Sequence, residues 1–169
     1  MKVRACDIPP ESLLRARVAG SDFHDAYCVD NPCAERSALA LWLQTLGRTP
    51  RWVDQAMRVR NTVVKHLGLK DLGAMAAIDP ARGLKTYRVG ERVGIFTVLH
   101  LGDDEVILGD DDKHLEVQVS LLKTADRKVV VSTVVHIHNA LGRLYMFFVA
   151  PAHRMIAPAV LSRIGNQSP

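Results

Sequence analysis

The sequence predicts an α+β domain in the order strand, two helices, antiparallel meander and long C-terminal helix. Three observations carry that expectation. Between residues 22 and 68 one extended stretch gives way to two apolar patterns of helical period. From Ile95 to Asn139 the period becomes two, with β-branched residues and short polar turns. From Asn139 to Arg163 the helical period returns. The 169 residues make most simply one domain, residues 1–169, with 1–20 as an N-terminal extension. Hydrophobic residues at 48% against charged residues at 24% give the balance of a folded chain and exclude a disordered one.

Each element has its own signal. The stretch IPPESLLRA in the extension gives one short helical turn, and DFHDAYCV, from Asp22 to Val29, gives the first strand. Asn31 offers a helix N-cap, Pro32 the first helical position and Gly47 the end. Leu39, Trp42, Leu43 and Leu46 make that helix's apolar face. Thr49 and Pro50 open a second helix with Trp52, Ala56, Val59 or Val63, and Leu67 inward, closed by Gly68. So short a connection predicts a two-helix hairpin after the first strand.

Residues 71–93 are rich in Gly, Ala and Arg, with a turn at Asp79-Pro80, and predict a loop with a short strand near Thr86 to Val89. The segments IFTVLHL, EVIL, HLEVQVSLLK and KVVVSTVVHIHN then read as strands separated by GDD, GDDD and TADR, which with the first strand makes five besides the short one near Thr86 to Val89. Asn139 caps the last helix, in which Leu141, Tyr145, Phe148, Ala152, Met155 and Ala159 recur every three or four residues. Pro151 lacks the N–H that would bond back one turn and should kink or split it.

Strand alternation orients the histidines. His114, Glu116, Gln118 and Ser120 alternate with apolar Leu115, Val117, Val119 and Leu121. Ser132, His136 and His138 share a face with Val130 and Val134, while Val129, Val131, Thr133, Val135 and Ile137 share the other. Several registers place both apolar sets on one side, and the turn near Ala125-Asp126 favours the one that pairs His114 with His138, Glu116 with His136 and Ser120 with Ser132. His114, Glu116, His136 and His138 would then form one polar patch, a donor set suited to zinc or iron. The patch lies opposite the apolar face, however, so a solvated sheet face or a subunit contact is the preferred reading and no metal or cofactor is expected. GDDDKH lacks the calcium-loop pattern, and its aspartates read as turn residues.

Other function classes find little support. Cys6, Cys28 and Cys33 show no paired spacing and read as reduced thiols of a cytoplasmic protein. The N-terminus has no apolar signal core, and no apolar run approaches the roughly 20 residues of a membrane span. The charge of +4 is uneven, acidic at 103–105 and 110–112 and basic from Arg48 to Lys70 along one helical region. That basic stretch has no interleaved stacking aromatics and reads as a solvated helix face, which argues against nucleic acid. No nucleophile elbow, Walker A loop or dinucleotide fingerprint is present.

The element order is similar to the helix-grip architecture of START-like and polyketide-cyclase-like proteins, in which a curved sheet wraps a long terminal helix. The words DFHDAY, DDDKHLEVQVS and TVVHIHNALGRLYMFFVAPAHRMI together resemble the bacterial domain-of-unknown-function family 2867. The resemblance covers most of the chain from about Asp22 and implies a helix-grip fold, but no activity. Members also occur fused to reductase-like domains, which suggests an interaction subunit as one role.

The leading expectation is a domain that binds a small apolar ligand between sheet and terminal helix, where Leu144, Phe147, Phe148, Met155 and Ile156 supply apolar surface. Arg143, Tyr145, Phe148, His153 and Asp112 are the candidate ligand-binding residues. Arg143 at the strand–helix junction is expected to clamp Asp112, and Gly142 to permit close approach of helix and strand. An acid/base enzyme of cyclase or dehydratase type is the alternative. A homodimer is a further expectation, with no partner among nucleic acids or membranes.

Overall fold

One antiparallel sheet of seven strands organises the chain, in the order β1-β2-β7-β6-β5-β4-β3. The strands are β1 (Arg4–Ala5), β2 (Phe23–Asp30), β3 (Arg92–Val93), β4 (Phe96–Leu101), β5 (Glu105–Asp111), β6 (Leu115–Lys123) and β7 (Lys128–Ile137). The α-helices are α1 (Ala38–Leu46), α2 (Arg51–His66) and α3 (Ala140–Leu161), and a 3-10 turn spans Leu13–Arg17. The structure is a computed structural model that describes residues 2–31, 33–47, 50–66 and 87–164. Pro32, Thr49, Gly68 and the stretch from Leu67 to Thr86, with its Asp79-Pro80 turn, lie outside the described residues.

The meander has a register that burial allows. Glu116 pairs with His136 and Ser120 with Ser132, while the backbone N–H of His138 donates to His114 O. Strand β7 pairs on its other side with β2, the first strand, setting Asp25 against Thr133 and Phe23 against Val135. Five strands stand where the local patterns put them. The two additional ones, β1 and β3, are two residues each, too short for a period of two to register.

Each face of the sheet has its own cover. On one face Val98, Leu108, Leu121 and Val129 pack with Leu41 and Trp42 of α1 and with Leu161 at the end of α3. Full burial of Leu41, Leu108 and Leu121 contributes about 2–3 kcal/mol each. Helix α1 lies over β5 and β6, whereas α3 lies over β2 and β7, so the terminal helix shares this face rather than filling it alone. On the back face Ile8 and Leu14 of the N-terminal extension pack on Ala26, Ile107, Val130 and Val134. That face is thus covered by the chain's own residues 6–18, where the sequence left it to solvent or a second subunit.

Several helical expectations shift. Asn31 does not cap α1: its backbone N–H is held by Arg127 O and its side chain accepts from Cys33 N, a local turn. Ser37 takes the cap instead, accepting from Ala40 N at 3.3 Å, and Gly47 ends the helix as expected. Among the described side chains of α2, Val53 is fully buried and Met57 packs on the core, while Trp52, expected inward, is 44% exposed. Helix α3 begins where Asn139 predicts, with its side chain accepting from Gly142 N. It continues through Pro151 and Pro158 as one element of 22 residues, not two.

Candidate functional site

Phe23, Asp25 and Tyr27 alternate with His24 and Ala26 along β2, and the odd-numbered set faces α3. Alternation along β7 likewise brings Thr133 to this face, directly beside Asp25. Helix α3 supplies His153 from above. Its Nε2 lies 3.2 Å from Asp25 Oδ1 and 3.2 Å from Thr133 Oγ1. The Phe23 ring stands edge-on to the imidazole at 5.7 Å, and the Arg154 guanidinium lies over Phe23 at 5.8 Å. Residues 128 positions apart thereby meet in one polar cluster on an otherwise apolar face.

The chemistry of the pair fixes the tautomer. An ionised carboxylate only accepts, so Nε2 carries the hydrogen and donates to Asp25. The lone pair of the neutral ring is then on Nδ1, which makes no hydrogen bond among the described residues. Asp25 Oδ2 is buried and accepts no hydrogen bond of normal geometry. Burial, and after it the negative charge of Asp25, pushes the Tyr27 hydroxyl above its ordinary pKa and keeps it a neutral donor. The cluster therefore presents an imidazole nitrogen without a partner among the described residues, and an Asp25 carboxylate that adjoins the protonated Tyr27 phenol while its Oδ2 accepts no bond of normal geometry.

Of the sequence candidates, His153 is the one in this cluster. Tyr145 is half-buried, its hydroxyl accepting from Arg60 Nε at 3.0 Å while the Arg60 guanidinium lies 5.4 Å from its ring. Phe148 is 67% exposed and turns away from the sheet. Arg143 is exposed and forms no ion pair with Asp112. Asp112 Oδ1 instead accepts from His114 N at 2.7 Å and Leu115 N at 3.0 Å, closing the turn before β6. Gly142 performs as expected: a Cβ there would lie 2.3 Å from His114 O.

The four residues weighed as metal ligands do not converge. Glu116 pairs with Arg17 at 2.5 Å, and His136 Nε2 donates to Arg17 O at 3.0 Å, so the N-terminal extension takes both. His138 Nδ1 donates to Asp112 O. His114 precedes β6, where alternation no longer governs its side, and its ring is buried against the Asn139 carboxamide at the start of α3. Among the described residues no three His, Cys, Asp or Glu side chains stand within reach of one ion.

Sequence reasoning passed over Asp25, Tyr27 and Thr133. The available signal was the acidic and phenolic residues at alternate positions in DFHDAY, both on the side of a strand that must face apolar partners. A buried polar residue with no local turn role is an informative one.

The model of a family described as "Protein of unknown function (DUF2867)" matches residues 17–160. The chain belongs to the DUF2867 family. No curated protein and no solved structure matches it. The matched span of this DUF2867 chain includes the whole Asp25–Thr133–His153 cluster as well as all of β2 and β7, but only the last residue of the 3-10 turn in the N-terminal cover.

Proposed function

We propose that this DUF2867 domain is of helix-grip type and binds a small molecule between the sheet and α3, with His153 and Asp25 as its polar anchors. The single antiparallel sheet with α1 and α3 on one face supports the helix-grip reading. The four residues between Leu46 and Arg51 support a hairpin of α1 and α2. The observation that carries the binding function is the half-satisfied cluster: a buried Asp25 oxygen without a partner, beside an imidazole whose second nitrogen is free. Leaving such a group unpaired costs about 1–3 kcal/mol, which a ligand donor would recover. Apolar walls from Phe23 and the valines of β7 with a few fixed polar groups are the usual make-up of such a site.

An NMR screen of the full chain with small carbonyl- and hydroxyl-bearing aromatic fragments tests this reading. Binders should shift the amides of Phe23, Tyr27, Thr133 and His153, and Asp25→Asn should abolish those shifts. Fragments that cluster elsewhere on the sheet would sink it.

The same geometry favours acid/base catalysis as a second reading. A carboxylate holding Nε2–H leaves Nδ1 as a general base, the arrangement used to abstract a proton beside a carbonyl. In deuterium oxide the wild-type chain should exchange the α-hydrogen of a bound enolisable ketone. His153→Gln should bind the ketone but not exchange it. Equal exchange by both proteins removes catalysis and leaves binding.

A further inference from the structure

We propose that the outer face of α3 is a homodimer interface, on which two copies of the helix pack antiparallel about a two-fold axis. Leu144 is 51% exposed, Phe147 73%, Phe148 67% and Met155 66%. With Pro151 and Ala152, which are also exposed, they form one stripe along the helix. The inner face of the same helix is already used, since His153 is tied to Asp25 and Thr133, and Met146 and Leu161 are buried.

The stripe is self-complementary. Its central residues, Leu144, Phe148, Pro151 and Met155, are spaced four, three and four apart, a pattern unchanged on reversing the helix direction. A two-fold axis passing between Val149 and Ala150 sets Leu144 against the partner's Met155 and Phe148 against the partner's Pro151. Large side chains then meet smaller or flexible ones, as an isologous contact requires. The area suffices as well. At about 150–250 Å² per aromatic side chain, the four exposed residues offer roughly 500 Å² per copy. Two copies bury about 1,000 Å², the lower bound of a specific interface.

A bilayer is the competing occupant, because α3 has the length and composition of a membrane-spanning helix, with a mean hydropathy of 1.4. Its inner face is held to the sheet by the Asp25–His153 contact, which a spanning helix would have to surrender. Surface insertion draws on a basic collar around the apolar face; along α3 itself the cations are Arg143 and Arg154, the latter already stacked on Phe23.

Sedimentation of the full chain tests the interface. Wild type should be a dimer at micromolar concentration, and Phe148→Glu a folded monomer. Leu144→Lys and Met155→Glu should each weaken self-association roughly 30-fold or more. Mixing those two variants should restore a dimer, because the lysine of one copy then faces the glutamate of the other while the remaining pair is native. A wild-type monomer, or a dimer indifferent to Phe148→Glu, would overturn the proposal. Mixing without recovery overturns the antiparallel arrangement. A monomer that co-sediments with phosphatidylglycerol vesicles assigns the stripe to a bilayer and overturns the second copy as occupant.

Discussion

The two faces of the sheet each enclose a carboxylate, and the two are treated differently. On the back face Glu105 is buried and fully engaged: it accepts from Ser12 Oγ at 2.6 Å, Leu13 N at 2.9 Å and Ser120 Oγ at 2.5 Å. On the helix face Asp25 receives His153 on one oxygen and leaves the other buried without a partner. A carboxylate with donors on both oxygens fastens structure together; Glu105 thereby pins the N-terminal extension over β5 and β6. A carboxylate half answered leaves a cost that a bound donor would offset. The contrast sets a face fastened by its carboxylate against the face on which the ligand site is proposed.

The largest expected effect falls on the satisfied side. Glu105→Ala removes the acceptor of two hydroxyls and a backbone N–H, and should destabilise the chain by about 3 kcal/mol in a urea melt. Residues 8–18 should become accessible to protease at the same time. A loss below about 1 kcal/mol would show that the apolar contacts of Ile8 and Leu14, not the carboxylate, hold the extension.

Gly142→Ala comes next. The added methyl meets His114 O at 2.3 Å, backbone that cannot swing aside, so the start of α3 must shift. About 2 kcal/mol of stability should be lost, together with fragment shifts at His153. If stability falls but binding persists, the site does not depend on how the N-terminal end of α3 is seated.

Asp25→Asn should change stability by no more than about 1 kcal/mol, since it removes an unpaired charge as well as an acceptor. Equal destabilisation by Asp25→Asn and Glu105→Ala would erase the distinction drawn between the faces.

The smallest effect is alkaline. Burial first, and the neighbouring Cys28 second, push the Cys6 thiol up to about 12 from 9.0. A raised folded-state pKa favours the protonated form, so its contribution is complete below pH 9 and disappears as pH rises from there toward 12. Urea midpoints at neutral and alkaline pH should differ less in Cys6→Ala than in wild type. Unchanged pH dependence in that variant would place the titration elsewhere, with Tyr27 the next group to test.

Much of this arrangement is legible in the residues. The pairing of Glu116 with His136 and Ser120 with Ser132 follows from putting two apolar sets on one side, because a one-residue slip would reverse every side chain, together with the turn near Ala125-Asp126. The Asn139 cap was equally readable, since it depends on neighbours in sequence, and Gly142 marked the close approach of helix and strand, though its contact, His114 O, lies 28 positions away. The facing of α3 was not. That helix is apolar all round, so periodicity offers several inward faces and cannot choose among them. Phe148 and Met155, expected inward, stand outward for that reason. His114 was misplaced because it sits in the turn before β6, outside the reach of strand alternation.

The sequence by itself determined that the strands of the meander pair in order, which strand face is apolar and where the terminal helix starts, because each depends on a period of two or on residues a few positions apart. Only the tertiary structure decided that residues 6–18 cover the back of the sheet, that α3 shows Phe147 and Phe148 to the outside, and that Asp25, Thr133 and His153 meet. Those outcomes depend on contacts between residues about a hundred positions apart, whose energies are set by what each surface finds to pack against.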